Sequence, residues 1–325
     1  MVIESLQRRG AEVRVVGRDE ERVQETVQRL QARSGIAARG WTGGELLAAF
    51  RDCDAVVSCA GPFAQAGRPV LQAVLRAGLS YCDSTGEQSF IRLVFDDFDG
   101  EAKTRGCCLV PAFGFDYVPG DLGAAIAAEG LGPLRRVDVV YAPSSLAISR
   151  GTRRTVALGL TSGELRRPTS RTVTVPSGRV TGVSSPGGEE LTLPRHLDVQ
   201  TVTTYTVLGM PPAMVGAAGR LASLPGVRGL VRAAMERGPA GPQGADLDAP
   251  FAVHVQAEAM GGKRQAVLLQ GSGVYRFTGE ALAELALRMA MGKIDEVGAR
   301  APAEVVDARE FCAATGLSVR EVDPE

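Results

Sequence analysis

A chain of 325 residues, 45% hydrophobic and 22% charged, is long enough for about two domains with a sizeable core, and its composition excludes a disordered or fibrous protein. The formal net charge is -1 and Lys and Arg form no long run, so the electrostatic footprint of a nucleic-acid or membrane-surface binder is missing. No apolar stretch reaches the ~18 residues of a membrane span and the first residues lack the order of a signal peptide, so the expectation is a cytoplasmic protein.

Residues 1–10 read as the body and end of a helix, with Val2, Ile3 and Leu6 as its apolar stripe and Gly10 as its stop. A strand follows at 12–17, then a helix at 20–33 with Val23, Val27 and Leu30 on one face. A weak strand near 36–39 and a short helix over Leu46, Leu47 and Phe50 come next. Residues 54–60 are a near-continuous apolar run, as expected of a strand covered on both faces. The helix at 67–77 closes at Gly78, and strand 80–83, helix 89–105 and strand 107–111 complete the series. Strands separated by helices of this length predict an α/β fold with a Rossmann-like, doubly wound parallel sheet.

After about residue 135 the chain turns rich in Thr, Val, Ser and Gly. Strands are predicted at 172–175, 201–207, 251–257 and 265–269, giving a second, α+β domain with a mainly antiparallel sheet. Residues 210–237 look helical in parts, 238–244 form a loop, and helices at 280–291 and 307–315 close the chain. The expected division is 1–123 for dinucleotide binding and 124–277 for substrate and dimerisation. Residues 278–325 are expected to pack back on the first domain. The Thr/Val-rich sheet is a candidate inter-subunit surface, so a homodimer is expected.

A doubly wound nucleotide-binding domain normally opens with a strand, a Gly-rich turn and a helix. Here the opening residues already resemble that first helix, so 12–17 is the second strand of the fold. The first strand belongs centrally in such a sheet, and without it strands 12–17 and 54–60 face a gap with unpaired backbone groups. The expectation is that about 15–20 residues of the ancestral opening are missing, the length of one strand, one turn and one helix turn.

The six cysteines, Cys53, Cys59, Cys82, Cys107, Cys108 and Cys312, show no C-x-x-C spacing. His196 and His254 have no local ligand partners, so neither a zinc site nor a hydrolase triad has a signature. The residues that carry chemistry follow the strands. After the second strand come Gly17, Arg18 and Asp19, where an Arg accommodates an adenosine 2′-phosphate and so argues for NADPH over NADH; a solvated turn is the alternative. Cys59, Ala60, Gly61, Pro62 and Phe63 end the next strand, where Gly and Pro either line the cofactor's ribose and nicotinamide or simply turn the chain. Cys59 is either a reactive thiol or a small residue beside the cofactor. Tyr81, Asp83 and Glu87 follow at the same edge, and Phe115, Asp116 and Asp121 sit in the dense run 111–123. Tyr81, Asp83 and Asp116 are the candidate proton donors, whereas Thr85, Glu87 and Asp121 can equally serve as helix caps.

The segments GRDEERV, VVSCAGPFAQAGRPVLQA, AGLSYCDSTGE and VPAFGFDYVPGDLG, in this order, resemble the saccharopine dehydrogenase-like oxidoreductases, and among them the bacterial trans-acting enoyl reductases. The resemblance is strong over 10–125. It is weaker at Ser149, Arg150, Gly151 and Thr152, and at Tyr275, Arg276, Phe277 and Thr278. It implies a Rossmann domain binding NADP or NAD, an α+β domain over the nicotinamide, and redox chemistry on C=N or C=C bonds. It places Arg18 at the 2′-phosphate, Ala60, Gly61 and Pro62 at the ribose and nicotinamide, and Asp83 and Asp116 in the cleft. Two departures stand out: the Gly-rich loop is not in this chain, and Ala112 and Phe113 occupy positions that usually hold Cys or another small residue.

The resulting expectation is an NADPH-dependent oxidoreductase that reduces a C=C or C=N bond of a small metabolite or acyl substrate, in a bacterium with an Arg- and Ala-rich proteome. Recognition of a tricarboxylic substrate requires basic residues, and Arg150, Arg153 and Arg154 form one such cluster. Two alternatives stay open: a non-catalytic binding or dimerisation module, and a nicotinamide-independent lyase or isomerase using Asp83 and Asp116.

Overall fold

The computed structural model describes residues 1–145, 169–222 and 244–325, together with 224, 226, 227 and 229. The motif at 149–152, the cluster of Arg150, Arg153 and Arg154, and the loop at 238–243 lie outside the described residues. The chain forms two units. One comprises Met1–Gly114 and Tyr275–Val306, the other Phe115–Val274 and Asp307–Glu325.

In the first unit, α1 (Val2–Arg8), β1 (Arg14–Gly17), α2 (Glu20–Leu30) and β2 (Ser34–Ala37) follow in order. The α2 helix starts where Asp19 accepts from the Arg22 N–H at 3.1 Å, with Glu20 and Glu21 favourably placed at the positive end of its dipole. Next come α3 (Gly43–Ala49), opened by a capping box between Thr42 and Glu45, then β3 (Ala55–Ser58) and α4 (Phe63–Ala77). The α4 helix ends at Gly78, whose φ of 71° is left-handed and favours glycine. Then follow β4 (Ser80–Asp83), α5 (Gln88–Leu93), α6 (Asp99–Arg105) and β5 (Cys108–Val110).

The single helix expected at 89–105 is broken by a π turn at Val94–Phe98. Its buried side chains include Phe90, Val94, Phe98 and Ala102, one every fourth residue. At 3.6 residues per turn such a row drifts around the helix, and the wider π turn brings it back onto the core. Leu46, Leu71, Val74, Leu75, Tyr81, Phe90 and Leu109 make up that core.

The second unit opens with α7 (Val118–Ala127) and β6 (Leu134–Pro143), then β7 (Ser170–Val175) and β8 (Gly178–Ser184). It continues through the short α8 (Glu189–Thr192), β9 (Val199–Thr206), α9 (Pro212–Ala222), β10 (Pro250–Ala259) and β11 (Arg264–Ser272). The chain then enters α10 (Val274–Ala290), β12 (Gly298–Ala299) and α11 (Pro302–Val305), and ends with α12 (Ala308–Ala314) and β13 (Ser318–Val322). Seven strands form one sheet in the order β13-β11-β10-β6-β9-β8-β7, antiparallel except for the β6–β9 pair. The α7 helix lies close on it because Gly123 faces Val255 and Leu269; a Cβ there would sit 2.8 and 2.7 Å from their side chains.

The parallel strands of the first unit do not make one sheet. Strand β1 pairs only with β2, while β12, β5, β4 and β3 form a separate four-stranded parallel sheet. Among the described residues no strand bonds to the free edge of β1 or of β3. The expected fold class is present in both units, and so is the discontinuity read from the sequence. The last residues divide: α10 to α11 complete the first unit, whereas β13 extends the large sheet through β11. No helix among the described residues is long and apolar enough to cross a membrane.

Candidate cofactor and active site

The C-terminal ends of the parallel strands in the first unit carry the sequence-predicted cofactor residues. Gly17 closes β1 against Val23, whose methyl group would lie 2.8 Å from a Cβ at this position, so helix and strand meet here only through glycine. Arg18 is exposed and its guanidinium carbon lies 5.8 Å over the Trp41 ring, within cation–π range. The indole is itself fixed, donating to the Ala66 carbonyl at 2.9 Å. Asp19, by contrast, spends its carboxylate on the α2 cap and on Arg22, 3.5 Å away.

At the end of β3, Cys59, Ala60 and Gly61 are exposed, and the Gly61–Pro62 peptide is cis. Phe63 turns inward onto Phe90, with ring centroids 5.5 Å apart. The first amides of α4, on Phe63 and Ala64, donate to the Glu87 carboxylate at 2.8 and 2.9 Å. Glu87 therefore caps α4 rather than its own helix, and that helix start holds no free donors for an anion at these two positions. Cys59 keeps an accessible face yet is ringed by protein. The lost hydration pushes its thiol pKa up, so it stays a thiol and is a poor nucleophile.

Tyr81 and Asp83, two of the three candidate proton donors, have no exposed surface. Asp83 Oδ1 accepts from the Thr85 N–H at 2.8 Å and the Ala112 N–H at 3.0 Å, and its own carbonyl accepts from Phe113 at 2.7 Å. It ties the loop after β4 to the loop after β5, and it holds Ala112 at a φ of 60°, a left-handed conformation uncommon for a residue with a Cβ. Burial raises the Asp83 carboxyl to about 6 against the pull of those amides. Burial, with Asp83 nearby, keeps the Tyr81 phenol well above its ordinary value. These two residues position the edge and have no surface with which to touch a substrate.

Asp116, the third candidate, is exposed in the second unit, and the protein around it raises its carboxyl by desolvation. Near it lies a buried polar cluster that sequence reading missed. Glu189 is fully buried on α8 and receives the Tyr141 hydroxyl at 2.6 Å on one oxygen and the Thr204 hydroxyl at 2.9 Å on the other. Glycines make the room: a Cβ at Gly120 would lie 2.5 Å from Glu189 Oε1, and one at Gly187 2.5 Å from Oε2. Burial raises the Glu189 carboxyl to about 8, with the Asp121 charge adding to the rise and the two hydroxyls opposing it. Asp121, inside α7 rather than at its cap, meets His196 Nε2 at 3.2 Å. In sequence, Gly187 and Gly188 signal only a turn, and His196 has no local partner to mark it. Among the described residues, no three His, Cys, Asp or Glu side chains gather as metal ligands.

No family profile matches the chain. It is 27% identical over 172 residues to a lipid droplet localized protein of Caenorhabditis elegans, covering 49% of this chain and 40% of that protein. A saccharopine dehydrogenase-like oxidoreductase of Bos taurus is 29% identical over 109 residues, 32% of this chain and 25% of the relative. A Mycobacterium tuberculosis protein carrying the name trans-acting enoyl reductase is 35% identical over 102 residues, 30% and 24% of the two chains. The aligned regions thus span two-fifths or less of these relatives. By fold, the chain matches apo saccharopine dehydrogenase (L-Glu forming) of Saccharomyces cerevisiae with a TM-score of 0.64 at 15% identity, over 99% of this chain and 97% of that one. It matches homospermidine synthase of Legionella pneumophila, solved with NAD, with a TM-score of 0.56 at 10% identity, over 99% and 89%.

Proposed function

We propose that this chain, related in sequence and fold to the saccharopine dehydrogenase-like oxidoreductases, is an NADPH-dependent oxidoreductase that reduces a C=C or C=N bond of a small metabolite or acyl substrate. The observation that carries the reading is the Arg18–Trp41 corner at the end of β1, on the same unit as the exposed Cys59–Gly61 turn at the end of β3. Both are where parallel sheets place nucleotides. A guanidinium held over an indole suits a phosphorylated adenosine, and the β3 turn offers bare backbone to a ribose and nicotinamide. The fit covers the two ends of a dinucleotide. For its diphosphate the described residues offer no glycine-rich turn, and the first two amides of α4 already belong to Glu87.

When bound, the nicotinamide supplies the hydride. The chain's own part is to orient and to manage the proton. Arg18 holds the phosphate end and Asp83 fixes the two loops that border it, while of the three candidate donors Asp116 is the one with an exposed surface. Its raised carboxyl keeps more of the acid form near neutral pH than an ordinary aspartate does.

A thermal melt with NADPH at ~100 times its Kd should show a stabilisation of about 2.7 kcal/mol and a raised midpoint. NADH should shift the melt less. Arg18→Ala should erase the difference between the two, weakening NADPH about tenfold, which corresponds to ~1.4 kcal/mol. A cooperative melt that neither nucleotide moves would overturn the reading in favour of a non-catalytic module.

A further inference from the structure

Glu189 is a fully buried acid to which the nucleotide reading assigns no role. Burial holds its carboxyl at about 8, so it carries a proton at neutral pH. The titratable groups set around it are Tyr141 from β6, Asp121 from α7 and, through Asp121, His196. Strand β9 presents the neutral hydroxyl of Thr204.

A protonated carboxyl has a hydrogen to give, so one of its two hydroxyl partners must accept from it rather than donate. Thr204 leads inward: the residue is buried, and its hydroxyl is pressed so close to Gly187 that a Cβ there would collide with it. Tyr141 leads outward. The Phe115 ring packs edge-on against the Tyr141 ring, with centroids 5.4 Å apart. Tyr117 lies so close over Gly188, the neighbour of Glu189, that a Cβ there would strike its ring. Gly120 backs onto the phenol itself, since a Cβ at this position would sit 2.6 Å from the Tyr141 hydroxyl. The segment from Phe115 to Gly120 therefore lies across the buried acid. Asp116, flanked by two residues that touch the cluster, is the exposed member of that segment. Its charge is felt at Tyr141, whose phenol burial, Glu189 and Asp116 together keep well above its ordinary value. Tyr141 thus stays a neutral hydroxyl, able to pass a proton without storing or losing one.

We propose that Tyr141 connects Glu189 to Asp116 as a proton path, with Glu189 restoring the proton that Asp116 gives up. In the transfer the Asp116 carboxylate takes the phenolic hydrogen while the Tyr141 oxygen takes the hydrogen of Glu189. One proton has then moved from Glu189 to Asp116, and Tyr141 is unchanged. The Glu189 carboxylate left behind accepts from the Tyr141 and Thr204 hydroxyls, and the reverse transfer refills it from solvent. The inference rests on the reading of Asp116 as the candidate donor and adds the groups behind it, which act through Asp116 without touching substrate.

The test follows the proton of Glu189 in the full chain, with neither substrate nor nucleotide present. The infrared carbonyl band of the protonated carboxyl, assigned by its absence in Glu189→Gln, is recorded after a rapid pH jump from below to above the Glu189 value of about 8. Tyr141→Phe and Asp116→Asn should each slow the loss of this band at least about tenfold, whereas Thr204→Val, which removes the other hydroxyl, should change it far less. Equal rates in wild type, Tyr141→Phe and Asp116→Asn would overturn the proposal. Equal slowing by Tyr141→Phe and Thr204→Val would overturn it too, because a purely structural cluster responds alike to the loss of either hydroxyl. So would the absence of the band from the wild type at neutral pH. Asp116→Asn changes an exposed side chain and tests the path even where Tyr141→Phe fails to fold. Failure here leaves the NADPH melt as it stands, and a melt that NADPH does not move leaves these proton rates to be read on their own.

Discussion

Glu189→Gln should remove most of the loss of stability that the protein otherwise shows as pH rises from about 4.5 to about 8. The carboxyl is raised from the ordinary 4.5 to about 8 by burial, so within that window the folded state holds a proton that the unfolded chain has released. Stability falls with pH wherever the folded state binds more protons. The contribution is fully present below pH 4.5 and is lost as pH climbs through the folded value. At ~1.4 kcal/mol per pH unit the ceiling is about 5 kcal/mol. Gln keeps the shape and leaves nothing to titrate. Denaturant midpoints from pH 5 to 8.5 read the difference directly, and parallel curves for wild type and variant would sink the prediction. Two other buried groups shape the baseline. Asp83, raised to about 6, adds a slope of the same sign that ends lower. His254, lowered by burial, contributes the opposite sign, since its neutral form is the one the fold prefers. Glu189→Ala is a harsher change: it strands the Tyr141 and Thr204 hydroxyls and should cost ~3 kcal/mol at any pH.

Asp83→Ala should be the most damaging single truncation at the strand ends of the first unit. It removes the acceptor of the Thr85 and Ala112 amides, and a buried donor left alone costs about 1–3 kcal/mol. It also frees Ala112 from the contact that holds its left-handed backbone. Asp83→Asn keeps Oδ1 in place and should cost less than about 1 kcal/mol. The pair separates two roles. A positioning Asp83 predicts that the Asn variant retains nucleotide binding and turnover, while the Ala variant loses both along with stability. A proton donor predicts that Asn binds normally and does not turn over, which would return Asp83 to the reacting atoms.

The elements of the first unit were legible because each is short, local and marked by its own chemistry. Gly78 ends α4 where the periodicity stops, whereas the cap that Asp19 gives α2 was not read from the sequence. That β1 and β3 do not pair with each other was legible too, since a doubly wound sheet places another strand between them. Strand β6 was not, because Arg136 and Asp138 look like surface charges in a linear reading. On the pleat they lie on one face and pair at 2.6 Å, with Tyr205 accepting from Arg136 at the same distance. Of the site, strand ends were visible and functions were not. Tyr81 and Asp83 carry the right groups, but only burial distinguishes a positioning carboxyl from a reacting one. Glu189, Tyr141 and Thr204 come from α8, β6 and β9, so no spacing rule could assemble them. The same holds for Asp121 and His196.

The division of the chain has a consequence for the order in which the protein is made. The first unit needs Tyr275–Val306, whose strand β12 pairs with β5, and the second needs Asp307–Glu325, whose strand β13 pairs with β11. Neither unit can finish folding until almost the whole polypeptide has left the ribosome. During synthesis the edge of β5 that β12 later covers, and the edge of β11 that β13 later covers, both wait unpaired, which is the state in which nascent chains associate with one another. A stop codon anywhere before residue 298 leaves both units incomplete at once. For this protein, late truncation is therefore a two-domain lesion.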